Sequence, residues 1–464
     1  MGIMIESELI PMFERNLMVR KRVKGDIAII NATIDAPAEK MEKENKLSIT
    51  KLLFIITLFE LIFLGTGRVL NIYGITLREI FFLLNFYIFF TFLFLKRKFF
   101  FSSLVKISVI FVFLNFFIWG LLLALVRNNS LYYAFADSNG ILYLLYILPW
   151  TSFAFYENWS RRFVINTFLI FIFLFSIVVN SAVIFSLFGY LNLYQIGSYL
   201  SNTLHFQLIS GIMPGGFPRI IWVQFIFFIP ATLFFTSRLI SRKNFSFLKL
   251  IMLLSCLLAL VFSYSRGLWL GLIVGLIFLF LISRKTVKAK NIIIIVVIFL
   301  FCLVVIGLLN FNYLTLIGER ILLSFNMQEI SNAIRFSQAE FLLTEWMKYP
   351  VFGKGYGATV EGLVRSEIAP YSFELEPIAL LMKLGLIGII LWIFYFIFLI
   401  YESKRQIRNN KEDWIFRAIY SSIPAIIVAS STNPYLLNSV GMGIIALFIL
   451  VLTINKIKVS YEKN

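Results

Sequence analysis

Two arginines at predicted membrane boundaries are the first residues in this sequence that could do chemistry. Arg266 lies in SYSRGLW (263–269), between two apolar runs, and Arg219 follows PGGFP (214–218) where it opens another predicted membrane helix. Neither has an acidic residue near it in the sequence. A charge at such a boundary is costly unless it is paired or faces a wet cavity, so both arginines are functional candidates.

The guanidinium group is well suited to hold phosphate. Its planar fork binds a phosphate group through two hydrogen bonds, whereas lysine offers a point charge. On the outer face of a membrane, a phosphate-bearing lipid is the natural anionic partner. Two or three arginines could stabilise a diphosphate leaving group, because negative charge grows on it in the transition state. Such a reaction also needs a base that activates an attacking hydroxyl.

The basic residues of the short outer loops are all arginines: Arg68, Arg78, Arg127, Arg219 and Arg266. The simplest interpretation of Arg68, Arg78 and Arg127 is that they bind lipid headgroups or cap helix ends. Arg335, in a longer outer segment, is a further candidate ligand for phosphate, with an ordinary helix-surface charge as the alternative.

The composition predicts an all-α, polytopic membrane protein. Of the 464 residues, 60% are hydrophobic and only 14% are charged, against about 25% charged in soluble domains. A spanning helix needs about 20 apolar residues. The apolar runs predict about 12 transmembrane helices, centred near residues 58, 86, 114, 149, 176, 228, 255, 275, 300, 388, 422 and 448. Lysine and arginine collect in alternate loops, so topology explains most of the net charge of +18 and nucleic acid is not an expected partner.

The same pattern divides the chain into four parts. Residues 1–50 are predicted to be a cytosolic polar tail, 51–309 transmembrane helices 1–9, 310–372 a long outer loop, and 373–464 helices 10–12 with a short cytosolic tail. In the loop, apolar residues at helical spacing predict an amphipathic helix that ends at Pro350. These residues are Ala333, Ile334, Phe341, Leu342 and Trp346. The following GKGYG (353–357) lacks the GK[ST] of a phosphate-binding loop and is interpreted as a tight turn.

Cysteine and histidine contents limit the metal chemistry. Cys256 and Cys302, the only cysteines, both lie inside apolar runs, so a disulfide framework or a cysteine-rich metal site is not expected. The only histidine is His205, in the outer loop before Arg219, which excludes a multi-histidine site. A plain interfacial role for His205 is the simpler interpretation, and contact with substrate is the alternative.

Three motifs in order resemble the O-antigen ligase and polymerase family of bacterial membrane proteins. SYSRG (263–267) is similar to the family's "SRG" signature between two membrane helices. RFSQAEFLLTEWMKYPVFGKGYG (335–357) resembles its arginine, tryptophan-containing helix, proline and Gly-x-Gly. FELEPIALLMKLGLIG (373–388) resembles the segment that ends the family's long periplasmic loop. The resemblance covers roughly residues 200–400.

The resemblance implies a fold, a reaction and a set of partners. These proteins use glycans linked to undecaprenyl diphosphate, form a glycosidic bond at the periplasmic face of the inner membrane and release the lipid diphosphate, without nucleotide sugar or metal. No cofactor is therefore expected. The N- and C-termini would be cytoplasmic. Membrane lipid and a chain-length regulator protein are the further partners that the resemblance implies.

The family's functional residues carry over to several positions. Arg266 matches the "SR" arginine and Arg219 the arginine after the preceding periplasmic loop, and both would bind diphosphate. Arg335 matches the arginine that opens the long-loop helix. Tyr264, within the SYSRG motif, is a further candidate for substrate binding.

One departure from the family bears on the reaction. Ligases place a histidine ahead of the Gly-Leu-x-Gly stretch, with ten residues between the histidine and the first glycine, and counting back from Gly385 gives Glu374 as the corresponding position here. Glu374 would act as the base or orient the acceptor hydroxyl, and Glu376 is a candidate for substrate binding. The alternative is that one of these glutamates pairs with an arginine or with Lys383. The missing histidine favours a polymerase over a ligase.

A lipid-linked glycan flippase is the alternative from a different class. It would also need basic residues for an anionic cargo, but they should line a cavity within the helices. Here the middle parts of the predicted helices carry little charge, with Glu60 and Lys383 as the main exceptions. A structured outer loop of about 60 residues is natural for an outer-face catalyst.

Overall fold

The computed structural model describes residues 48–64, 76–96, 101–204, 208–212, 218–241, 246–284, 329–363, 366–367, 369–409 and 414–461, and also 315, 318, 319, 322, 323 and 326. The predicted tail at 1–50 lies almost entirely outside these residues. The chain divides into two units, Met1–Leu53 and Phe54–Asn464, and the candidate site belongs to the second.

Helices make up most of the described chain. In order they are α1 (Ile49–Phe63), α2 (Leu77–Lys96), α3 (Ser103–Val126), α4 (Leu131–Leu142), α5 (Ile147–Tyr156), α6 (Arg161–Leu187), α7 (Leu193–Leu204), α8 (Phe228–Ser241), α9 (Phe247–Phe262), α10 (Arg266–Ser283), α11 (Ile330–Lys348), α12 (Glu376–Asn409), α13 (Trp414–Ser430) and α14 (Ser439–Tyr461). Helix α3 contains a π-helical stretch, Asn115–Leu122, and α4 and α5 are joined by a 3₁₀ turn, Tyr143–Tyr146.

Among the described residues, six helical segments are long and apolar enough to cross a membrane: α2, α3, α6, α8 with the 3₁₀ turn before it, α10 and α12. Shorter apolar helices are α9, α13 and the first part of α14. The span predicted near residue 149 forms the short helices α4 and α5, and the one predicted near residue 300 lies outside the described residues. The all-α, polytopic character is confirmed, while the count of about twelve spans stays a prediction.

A row of small residues lets α10 pack closely on α13. Gly267, Gly271 and Gly275 recur every four residues, and so they lie on one face of α10. A Cβ atom at Gly271 would lie 2.6 Å from the carbonyl oxygen of Ala425 and 2.8 Å from the Cβ of Ala429. This close approach fixes the start of α10, which carries Arg266, against the end of α13.

A β-hairpin departs from the all-helical expectation. Strand β1 (Leu208–Ile212) pairs antiparallel with β2 (Pro218–Trp222), and Gly211 lies opposite Arg219. The prediction that Arg219 opens a membrane helix is therefore wrong. Ile220, Ile221 and Trp222 are β-branched or aromatic residues, which favour a paired strand, and α8 begins only at Phe228.

Helix α12 is broken near its start by Gly385, whose φ of 63° and ψ of −170° are not helical. A break leaves backbone groups without helical partners, and in an apolar segment other protein groups must satisfy them. Residues 350–357 do so. The bonds run from Leu386 N to Pro350 O (2.9 Å), Ile387 N to Val351 O (3.1 Å), Lys354 N to Met382 O (2.9 Å) and Gly355 N to Lys383 O (2.8 Å).

The GKGYG segment forms the tight turn that its glycines predict. Gly353, Gly355 and Gly357 all have positive φ, at 73°, 91° and 73°. A Cβ at Gly357 would clash with the backbone of Ala134 in α4, so glycine is required by close approach as well as by conformation. The indole nitrogen of Trp119, in α3, donates both to the carbonyl oxygen of Phe352, just before this turn (2.8 Å), and to that of Leu384 in α12 (2.9 Å). The turn therefore joins the segment after α11 to the membrane helices.

Candidate active site

A strained turn positions Arg266. The SYSRG segment reverses the chain between α9 and α10, and Tyr264 adopts φ +52°, which few residues other than glycine do. The side-chain oxygen of Ser263 accepts from the backbone N–H of Ser265 (3.2 Å), and the indole of Trp269 donates to the carbonyl of Leu260 (2.8 Å). Backbone strain of this kind is concentrated at functional sites. The backbone conformation of this turn sets the direction in which the side chain of Arg266 leaves the start of α10.

Arg266 has an acidic partner that is distant in sequence. Its Nη2 lies 3.1 Å from Oε2 of Glu329 and 3.2 Å from Oδ1 of Asn332. No acid lies near Arg266 in the sequence, but Glu329, at the N-cap of α11, reaches it across 63 residues. The other terminal nitrogen, Nη1, is buried and has no hydrogen-bond partner among the described residues. A buried guanidinium N–H without such a partner calls for an explanation, and a bound anion would provide one.

Arg219 approaches the same turn from the hairpin. Its Nε donates to the backbone carbonyl of Ser263 over 3.4 Å. The hydroxyl of Tyr435, in the connection between α13 and α14, is hydrogen-bonded to Ser265. Burial raises the pKa of Tyr435 to about 12, although this hydrogen bond and the charge of Arg219 act to lower it. Tyr435 is therefore protonated at neutral pH.

Arg335 lies one helical turn along α11 from the group that holds Arg266. Its Nε donates to Oε2 of Glu374 (3.1 Å), and about a quarter of each side chain is exposed. The buried side chain of Gln338 accepts from the backbone N–H groups of Glu374 (2.9 Å) and Leu375 (3.0 Å). Helix α11 thus fixes the position of Glu374, and the prediction that this glutamate or Glu376 pairs with an arginine is confirmed for Glu374.

The predicted phosphate ligands come together. Arg219, Arg266 and Arg335 line a cavity of about 560 Å³, which we call the arginine cavity. Tyr264 and Asn433 also line it, and it continues along α10 past exposed Leu270 and Ile273. These apolar residues face outward from a helix that is long enough to cross a membrane. A ligand in this cavity can therefore hold an anionic group among the arginines and an apolar group beside them.

Glu376 does not belong to the arginine cavity. Its buried carboxylate accepts from the backbone N–H groups of Leu436 (3.0 Å) and Leu437 (2.6 Å) and so holds the α13–α14 connection. It lines two other cavities. One is apolar and lies between α12 and α13. The other, of about 290 Å³, is polar and also contains Asp137 and Lys383; we call it the polar cavity.

The remaining predicted residues have other places. Arg78 is fully buried and pairs with Glu60 at 2.8 Å, so its interpretation as a headgroup or helix-end arginine is wrong. Arg127 packs its guanidinium over the ring of Tyr349, 4.1 Å from the centroid. His205 and Arg68 lie outside the described residues.

Sequence reasoning missed the groups that orient the arginines. Glu329 has a local signal, because an acid just ahead of a predicted helix suits an N-cap, and its side chain accepts from the backbone N–H of Asn332 (3.2 Å). Its contact with Arg266 has no signal in a single sequence. Within the described ranges, no group of three or more His, Cys, Asp or Glu side chains is placed to hold a metal ion.

The arrangement has the parts needed for transfer from a phosphate leaving group. Guanidinium groups can neutralise charge that develops on phosphate oxygens, and a carboxylate held by α11 can accept a proton. A family model described as O-antigen ligase matches residues 250–393, which include Arg266, Arg335 and Glu374. No curated protein matches the chain.

Proposed function

We propose, from the match of residues 250–393 to the O-antigen ligase family model, that the protein is a surface-polysaccharide polymerase of the bacterial inner membrane. It joins oligosaccharide repeat units linked to undecaprenyl diphosphate on the periplasmic face and releases undecaprenyl diphosphate. Both termini are cytoplasmic in this proposal, and a chain-length regulator protein is a partner. The apolar helices and the family together imply a membrane protein with a lipid-linked glycan substrate.

The observation that carries the proposal is the meeting of three arginines, Arg266 among them, in the arginine cavity. Nη2 of Arg266 is held by Glu329 and Asn332, which fixes the guanidinium, and Nη1 has no hydrogen-bond partner among the described residues. A phosphate oxygen of the donor lipid would accept from Nη1. Arg219 and Arg335 line the same cavity and would share the remaining charge of the diphosphate.

The reaction is a single displacement with inversion at the anomeric carbon. A hydroxyl oxygen of the acceptor sugar forms a bond to this carbon as the bond to the phosphate oxygen breaks. The hydroxyl proton passes to the carboxylate of Glu374, and the electron pair of the broken bond leaves with the diphosphate. Arginine charge stabilises this leaving group, so the proposed mechanism is independent of metal.

The identity of the proposed base favours a polymerase. Ligases of the family are expected to carry a histidine where this chain has Glu374, and the matched region 250–393 contains no histidine. The description of the family model as O-antigen ligase favours the second candidate function, in which the glycan passes to lipid A-core. Both functions use the same donor and the same arginines, so they differ in the acceptor.

The glycan profile of a deletion strain tests the proposal. The strain is complemented with wild-type, Arg266→Ala, Glu374→Gln or, as a matched control, Arg127→Ala protein at equal expression. Arg127 lies outside the arginine cavity and holds Tyr349 instead. We expect wild type and Arg127→Ala to restore a ladder of long chains, and both site variants to leave a single repeat unit on the acceptor.

Other profiles contradict the proposal in distinct ways. Loss of all attached glycan, with long lipid-linked chains accumulating, would identify a ligase. An unchanged ladder in Arg266→Ala and Glu374→Gln would mean that the site is elsewhere.

A further inference from the structure

The polar cavity and the arginine cavity have no lining residue in common among those that the structure describes, but two segments of the chain bring them close. Thr432 and Asn433 line the arginine cavity, and the next residue, Pro434, lines the polar cavity. The second such segment precedes α12. There Phe373 lines the polar cavity, while the adjacent Glu374 pairs with Arg335 of the arginine cavity. Consecutive Cα atoms are about 3.8 Å apart, so ligands in the two cavities would be close neighbours.

The charges of the polar cavity disfavour a phosphate. Lys383 Nζ lies 2.7 Å from both carboxylate oxygens of Asp137, so its charge is already matched. Glu376 adds a second buried carboxylate to the same wall. An anionic ligand would meet two carboxylates and one ammonium group, and the arginine cavity is the better site for it.

The same wall suits the hydroxyl groups of a sugar. A lysine ammonium has three donors, and the contacts to Asp137 leave at least one of them on Lys383 for a ligand. Carboxylate oxygens accept from hydroxyls, and the exposed Asn139 offers both a donor and an acceptor at the surface end of the cavity. Tyr371 and Phe373 supply aromatic surface. At about 30 Å³ per water, the volume of about 290 Å³ corresponds to about ten waters, which leaves room for one sugar ring.

We propose that the polar cavity binds the terminal sugar of the acceptor glycan. This inference rests on the proposed function, because a polymerase must hold an acceptor chain beside its lipid-linked donor. A sugar seated between Asn139 and Phe373 places its hydroxyls beside the backbone that carries Glu374. The donor diphosphate occupies the neighbouring arginine cavity, and the two ligands meet where the Phe373–Glu374 segment borders both cavities.

Binding of the free oligosaccharide tests the subsite without requiring turnover. The probe is the repeat unit released by mild acid from the host's lipid-linked intermediates, titrated by thermophoresis against labelled full-length protein in detergent. Ser372→Trp fills the polar cavity from a partly exposed position, and Thr359→Trp is the matched control, since exposed Thr359 lines none of the cavities described above. We expect Ser372→Trp to raise the Kd at least tenfold and Thr359→Trp to leave it unchanged.

A second variant keeps the test decisive if Ser372→Trp does not fold. Asn139→Ala removes one side-chain hydrogen bond from an exposed position, and loss of one such bond corresponds to a rise in Kd of roughly 2- to 13-fold. Binding of undecaprenyl diphosphate, measured in parallel, should be equal in all variants because the arginine cavity is intact.

The outcomes separate the subsite from the proposed function. Equal affinity of wild type and both cavity variants, or no binding by wild type, overturns the acceptor subsite. If wild type still polymerises lipid-linked units in that case, the proposed function stands without the acceptor subsite. If wild type extends no chain at all, the proposed function fails whatever the cavity binds.

Discussion

Replacing Arg266 by alanine should weaken transition-state binding far more than it weakens the fold. The change removes the Nη1 donor, which has no partner in the described part of the chain, and the Nη2 contacts to Glu329 and Asn332. A hydrogen bond to a charged group contributes about 1.5–3 kcal/mol. Loss of one such bond to the leaving diphosphate therefore lowers kcat/KM by roughly 10- to 150-fold. Glu329 keeps its capping bond to the backbone of Asn332, so α11 retains its N-cap.

Arg266→Lys separates charge from geometry. Lysine restores the positive charge but has one nitrogen in place of the fork, so it cannot contact Glu329 and a phosphate oxygen in the way that Nη2 and Nη1 do. We expect its kcat/KM to lie between those of wild type and Arg266→Ala. A value for lysine equal to wild type would mean that charge alone is sufficient and that the fork has no role.

The assay is chain extension by purified protein in lipid nanodiscs, with lipid-linked repeat units from the host as substrate. Thermal unfolding of each variant is recorded on the same samples, and Arg127→Ala serves as an arginine control outside the cavity. Arg266→Ala protein that unfolds at the wild-type temperature and has kcat/KM within twofold of wild type would refute the reasoning.

Three further changes have defined expected outcomes. Glu374→Gln keeps the size of the side chain, but the amide cannot take up a proton. The kcat in the extension assay should therefore fall about 10²- to 10⁴-fold, while binding of undecaprenyl diphosphate stays unchanged. An unaltered kcat would exclude Glu374 as the base. Gly385→Ala should lower the free energy of unfolding by about 1–3 kcal/mol, because its φ and ψ are essentially confined to glycine and the new Cβ would clash with the backbone of Val351. Thermal unfolding measures this loss, and Gly318→Ala, where a new Cβ meets no atom of the described residues within 4 Å, should not destabilise the protein. Glu345→Gln should lower the unfolding temperature at pH 7 and leave it unchanged at pH values well below 4. Burial raises the pKa of Glu345, yet hydrogen bonds from Lys348 and Lys354 outweigh it and hold the pKa below its ordinary 4.5, so the stability that the charge provides is present above pH 4.5 and is lost as the pH falls through the lowered pKa. Equal destabilisation at both pH values would contradict this account.

Sequence patterns predicted the features that depend on neighbouring residues. The apolar run that Pro350 ends forms α11, because helical periodicity and a proline stop are both read from neighbouring residues. The glycines of GKGYG form a turn for the same reason, since positive φ is a property of single residues. The arginines at predicted boundaries line one cavity, as the prediction that their loops lie on one face of the membrane requires.

Most features that depend on distant partners could not be predicted, although the pairing of Glu374 with an arginine was. The Asp137–Lys383 and Glu60–Arg78 ion pairs join residues that lie well apart in the sequence, and no periodic pattern links their positions. Arg219 lies in a run apolar enough to suggest a membrane helix, and only pairing with Leu208–Ile212 makes it a strand. The polar cavity is likewise formed by segments that are far apart in the sequence.

The break in α12 has a consequence for biosynthesis. During translation, the apolar part of α12 emerges after residues 350–357, and the backbone groups around Gly385 find their hydrogen-bond partners only when that earlier segment has docked. Integration of this helix into the bilayer and folding of the 350–357 segment are therefore linked steps. A chain in which this segment is misfolded would expose unsatisfied peptide groups to lipid at a cost of several kcal/mol each. Such a chain would be a ready substrate for the proteases that remove misassembled membrane proteins.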